Sequence, residues 1–222
     1  MSALLYAVFT ALIATVDSVY RDAPAYTVTN IVLRIAVLLP LLFSIVGGAS
    51  RYTRALRRTL WWVMVADVLL PLYFPAGMIV FLFVHVLNAH NFYQQVELKR
   101  ERWPSVVLPG LLVGSLGVWL YLVFLFPTME DLFRALVGLY LIPIALAWSL
   151  SITSALQSRA RWAVMASAGM FLFCFTDFQV AMEFLTDSKI PHYGVVNALT
   201  YYSGLLCLSL ASRMAPDEGA AP

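Results

Sequence analysis

Charge is what this sequence has least of: only 12% of its 222 residues are Asp, Glu, Lys or Arg, against about a quarter in soluble globular domains. With 62% of residues hydrophobic, that shortage excludes a water-soluble fold and requires an integral membrane protein. Cysteine is nearly missing too, Cys174 and Cys207 being the only two. Both lie in apolar stretches, where a thiol reads as a small buried hydrophobe, so neither a disulfide framework nor a thiolate metal site is expected. Histidine occurs three times. His85 and His90 are five residues apart, about 140° round a helix, so they do not form the i, i+4 metal pair of an H-E-x-x-H helix. The N-terminal MSALLYAVFT has no basic region and no convincing cleavage site, so it reads as a retained first span rather than a signal peptide. No linker is long enough to separate domains.

What the chain does have is long apolar runs. A spanning helix needs roughly 20 mostly apolar residues, and on that measure the sequence divides into eight spans near 3–20, 30–48, 58–74, 76–93, 105–126, 132–154, 160–182 and 193–212. The expected fold is therefore an all-α bundle of eight transmembrane helices. It makes one domain over 1–213, with 214–222 as a short disordered tail. Arg51, Arg54, Arg57 and Arg58 follow the second span, Lys99, Arg100 and Arg102 the fourth, Arg159 and Arg161 the sixth, and Arg213 the eighth. Their clustering predicts cytoplasmic even-numbered loops and two cytoplasmic termini, and Trp61, Trp62, Trp103 and Trp162 fall at the same interface. Localisation is then multi-pass, in a bacterial inner membrane or an endoplasmic reticulum membrane. Division after the fourth span leaves two four-helix halves of like orientation, with Asp67 and Asp177 in the third span of each.

Ionisable residues at bilayer depth are costly and need a partner or a hydrated cavity. The chain holds few: Asp17, Arg34, Asp67, His85 and Asp177, with Glu183 at an outer lip. Asp17 and Arg34 share a depth on adjacent spans, which suits a structural ion pair; alternatively Arg34 anchors a phosphate, which a guanidinium matches bidentately. Pro71, four residues after Asp67, frees the carbonyl of Asp67. In the fourth span Gly77, Phe81, His85, Asn88 and Phe92 recur at helical spacing and share one face. In the last span Asn197, Thr200, Tyr201 and Gly204 do the same, with Tyr202 beside them. A tyrosine hydroxyl in an apolar helix seeks a partner, and Asp177 on the neighbouring span is the expected one.

These residues also carry a resemblance. V-A-D-V-L-L at 65–70 and G-M-I-V-F-L-F-V-H at 77–85, followed by A-G-M-F-L-F-C-F-T-D at 168–177 and T-Y-Y at 200–202, resemble in order and spacing the YhhN family of lysoplasmalogenase-like membrane proteins. Ala66, Thr176 and Asn88 stand where the family pattern has glycine, serine and tyrosine. The resemblance implies an eight-span ether hydrolase that cleaves the vinyl ether of lysoplasmalogens to a fatty aldehyde and a glycerophospho-head group. Vinyl ether cleavage needs a proton donor, negative charge beside an oxocarbenium-like cation, and a positioned water, a demand that glycosidases meet with two carboxyls. Asp67 and Asp177 are expected to supply the acid and the stabiliser or water-activating base, in either order, with His85 and Tyr201 or Tyr202 orienting water or the leaving oxygen. Tyr201, Tyr202, Asn88, Asn197, Arg34 and Phe81 form the expected substrate-binding set for a lysophospholipid that enters from the bilayer. No cofactor, metal or nucleic acid is expected. Two other function classes suit the same residues: a proton- or cation-coupled transporter, and a metal-dependent lipid hydrolase using Asp67, His85 and Asp177. A purely structural or lipid-binding role accounts for the acids least well.

Overall fold

The computed structural model describes residues 10–12, 15, 26–45, 48 and 50–217, and among these there are helices and no strand. Seven long helices follow one another: α1 (Tyr26–Ser44), α2 (Arg51–Leu72), α3 (Phe74–Tyr93), α4 (Trp103–Leu120), α5 (Asp131–Ser158), α6 (Arg161–Leu185) and α7 (Tyr193–Met214). A single 3-10 turn at Arg100–Arg102 leads into α4 and a π turn at Tyr121–Leu125 prolongs it. Six segments are long and apolar enough to cross a membrane, namely Thr27–Ser44, Phe74–Tyr93, Arg100–Leu125, Asp131–Ser158, Arg161–Leu185 and Tyr193–Met214. Helix α2 is long enough, at 22 residues, but its four arginines and Asp67 dilute its apolarity. Of the first expected span, Thr10–Leu12 and Thr15 are helical; the remainder, including Asp17, lies outside the described residues, as do residues 218–222 of the expected tail. Met214 belongs to α7 rather than to that tail.

Helix α2 also begins earlier than its apolar run. Ser50, in extended conformation, accepts a hydrogen bond from the Thr53 amide at 3.0 Å and so caps the helix. Arg51, Arg54, Arg57 and Arg58 consequently sit on the first turns of α2, not in a loop. Apolarity marks where a helix is buried, whereas a cap and good helix formers mark where it starts. Arg57 reaches back from this position to the Ile45 and Gly48 carbonyls at 2.9 and 3.3 Å, satisfying acceptors that the end of α1 leaves open.

A single extended residue, Tyr73, separates α2 from α3, and Pro75 stands in the first turn of α3 where its missing N–H costs nothing. The two helices pack so closely that a Cβ on Gly77 would lie 2.4 Å from the Leu70 Cα. Because backbone cannot swing aside as a side chain can, Gly77→Ala is expected to destabilise the protein by about 3 kcal/mol through overpacking. A thermal unfolding midpoint in detergent equal to that of the parent would contradict this. Gly169 on α6 and Gly204 on α7 meet in the same manner, each facing the carbonyl of the other.

Helices α2, α3, α5, α6 and α7 form a closed ring in which α3 packs on α5 and α7 returns to α2, with α1 against α2 and α7 and α4 against α5. The ring interior holds the core, including Val63, Phe81, Val84, Phe92, Met170, Phe173, Tyr202 and Leu205. Leu108, Leu111, Leu112 and Trp119 of α4 are exposed, which places their apolar surface against lipid. All five residues of the α3 stripe, Gly77, Phe81, His85, Asn88 and Phe92, face inward and are buried.

Candidate functional site

The ring brings the polar residues buried along its helices into two hydrogen-bonded clusters. Asp67, on the last two turns of α2, is 1% exposed. Its Oδ1 faces Arg34 Nη1 of α1 at 3.0 Å, and its Oδ2 accepts a hydrogen bond from the Tyr201 hydroxyl of α7 at 2.7 Å. Arg34 is steadied by Asn30, one turn earlier on α1, whose Oδ1 accepts from Nε. A carboxylate flanked by a guanidinium and a phenol donor has its negative charge compensated where water is scarce. The expected Asp17 partner of Arg34 lies outside the described residues.

Asp177 of α6 has different company. His85 Nε2 of α3 lies 2.5 Å from its Oδ2, and the Tyr140 hydroxyl of α5 donates to the same oxygen at 3.0 Å. The His85 ring is fully buried, held edge-on to Tyr140 at 5.3 Å and tilted against Phe173 at 5.2 Å. Asp177 Oδ1 accepts from no described residue, and the side chain is 14% exposed. Phe81 and Phe173 stand between the clusters, touching Tyr201 on one side and each other, with Phe173 also against His85.

Both carboxylates line one cavity of about 830 Å³. Its walls draw on all seven helices and are mainly apolar, with Leu70, Phe74, Leu116, Leu120, Phe133 and Leu141 among them. Arg34, Phe81, Asn197 and Tyr201 also reach this wall. His85, Asn88 and Tyr202 do not: His85 stands behind Asp177, Asn88 is a turn further along α3, and Tyr202 is about 100° round α7 from Tyr201, packed against it at 5.0 Å. The tyrosine expected to meet Asp177 meets Asp67 instead, because α7 returns to α2 and closes the ring there.

Two contributors were missed from the sequence. Tyr140 and Asn30 are uncharged, so a census of ionisable groups passes over them; the signal was present, since a tyrosine within V-G-L-Y-L-I-P-I needs a hydroxyl partner. Among the described residues, no group of three or more His, Cys, Asp or Glu side chains is placed to hold a metal ion.

Comparison with known families matches the model of the YhhN family to residues 27–212, more than four-fifths of the chain. The chain belongs to the YhhN family. The match runs from the start of α1 nearly to the end of α7, so every residue of both carboxylate clusters falls inside the YhhN region. No curated protein and no solved structure matches the chain.

Proposed function

We propose that this protein is a membrane-embedded hydrolase of lysoplasmalogen-type lysophospholipids, crossing the membrane eight times with both termini cytoplasmic. The observation that carries the reading is the pairing of two differently held carboxyls on one large apolar cavity. The volume and walls suit an alkenyl chain, which would enter from the bilayer beside α4, the helix least covered by its neighbours. Asp177, with one oxygen engaged and the other open, is the group able to touch substrate. Asp67, both of whose oxygens are engaged, serves as the base beside it, taking up a proton from water and giving it back.

In the proposed reaction Asp177 gives its proton to the alkene carbon distal to the ether oxygen, and the resulting carboxylate faces the oxocarbenium ion as counter-charge. Water adds to the cationic carbon and yields a proton to Asp67, forming a hemiacetal. Collapse breaks the bond to the glycerol oxygen: Asp67 returns its proton to that oxygen while Asp177 takes the hydroxyl proton. Aldehyde and the glycerophospho-head group leave, one water is consumed, and both carboxyls regain their starting states. Arg34 sets a positive charge against Asp67, and His85 with Tyr140 holds the Asp177 carboxyl in line.

The direct test is aldehyde release from a defined lysoplasmalogen by purified protein in lipid nanodiscs. Absence of aldehyde, with proton- or cation-coupled flux in liposomes, would replace this reading with a transporter. Within the hydrolase, Tyr140→Phe deletes one charge-assisted hydrogen bond and is expected to lower kcat about ten-fold. Tyr202→Phe, which alters no residue of the cavity wall, should leave kcat unchanged; equal loss in both variants would remove Tyr140 from the mechanism.

A further inference from the structure

Toward the C-terminal end of α3, away from the cavity, a second set of polar side chains is buried. His85 Nδ1, Asn88 Nδ2, both amide atoms of Asn91, Gln95 Nε2, Tyr52 Oη, Ser154 Oγ and Ser209 Oγ are buried and hydrogen-bond to no described protein atom. Apart from Gln95, these residues are at most 2% exposed. They gather at one end of the ring. Gln157, on the last turn of α5, hydrogen-bonds the backbone of Glu97 just past α3, and Thr53 at the start of α2 donates to the Ser212 carbonyl near the end of α7. The Tyr52 ring packs on Phe92 at 5.9 Å and on Trp162 at 5.4 Å, so α2, α3 and α6 also meet there.

Polar groups buried in a membrane bundle are paired with protein or with ordered water, because hydrocarbon offers neither. So many unpartnered dipoles in one layer call for the second solution, and a site with several convergent polar groups is the kind that retains water. Along α3 the steps from His85 to Asn88 and on to Asn91 are about 4.5 Å each at the helical rise, short enough for one or two waters to bridge, and Gln95 follows in the turn past the end of the helix.

We propose that these side chains enclose a file of ordered waters running from the end of α3 to His85 Nδ1, through which the carboxyl of Asp177 exchanges its proton. A proton arriving from the file forms a bond to Nδ1, the Nε2–H bond breaks, and that proton bonds to Asp177 Oδ2; the reverse sequence restores the ring. The exchange role rests on the hydrolase reading, whereas the water file does not.

Hydroxyl-radical footprinting of the substrate-free protein in lipid nanodiscs tests the file. Tyr52 and Phe92, 2% and 1% exposed, are expected to label as readily as the exposed Tyr93. Asn91→Leu, or Ser154→Val should the first variant fail to fold, is expected to cut that labelling about five-fold by removing polar partners of the water. Inert Tyr52 and Phe92 rings in the parent protein would overturn the proposal, whatever its activity. In a single turnover begun by mixing protein in H2O with lysoplasmalogen in D2O, the parent is expected to place deuterium on the carbon next to the aldehyde and Asn91→Leu about five-fold less; equal deuterium in the two would overturn the exchange role. Labelled rings in a protein that releases no aldehyde would sink the hydrolase reading and leave the file standing.

Discussion

Asp177→Asn is expected to reduce aldehyde release by about a thousand-fold, the middle of the range that general acid catalysis supplies, while the protein folds and unfolds as the parent does. Asparagine keeps the shape of aspartate. Its amide oxygen, standing where Oδ2 stands, can still accept from Tyr140, which donates to Asp177 at 3.0 Å, and from His85 Nε2–H. What it lacks is a proton to give to carbon, so the loss should fall on kcat and spare KM. The measurement is steady-state aldehyde release, with the thermal unfolding midpoint as the control for folding. Full activity in this variant would remove Asp177 as the acid and, with it, the proton path assigned here.

Arg34→Leu is the second large effect, and it is one of stability. Asp67 is 1% exposed, and the 3.0 Å contact from Arg34 is its only ion pair in the described residues. Removing the cation leaves a carboxylate that burial penalises, at a cost of about 3–5 kcal/mol. The Tyr201 hydroxyl cannot replace a full positive charge. Adding Asp67→Asn removes the stranded charge, so the double variant should regain most of the lost stability, although it should not regain activity. Thermal unfolding of the parent, both single variants and the double in one detergent completes the cycle. A double variant no more stable than Arg34→Leu alone would show that Arg34 acts through packing and not through Asp67.

Much of the architecture was legible before the fold. Seven of the eight expected spans correspond to described helices, and six described segments are long and apolar enough to cross a membrane, because an apolar run of that length has one stable form in a bilayer. The start of α2 was misjudged for a physical reason: Ser50 and the four arginines are polar, and polarity ends an apolar run without ending a helix. Of the site, the individual residues Asp67, His85, Asp177 and Arg34 stood out because each is costly at depth. Tyr140 did not, since a phenol in a membrane helix is cheap enough to escape notice until its partner is seen.

Membrane residence, helical class, the order of the helices and the presence of a carboxylate in each of two long helices follow from the sequence alone, since each depends only on composition and on spacing within one segment. Partnership does not. Arg34 and Asp67 are 33 residues apart, His85 and Asp177 are 92, Tyr140 and Asp177 are 37, and Tyr201 and Asp67 are 134. Which of these meet is decided by how α3 seats against α5 and how α7 returns to α2, that is, by neighbour order and helix rotation. Those are settled by packing, down to the close approaches at Gly77, Gly169 and Gly204. Only the tertiary structure could place one carboxylate against an arginine, the other against a histidine, and both on a single cavity.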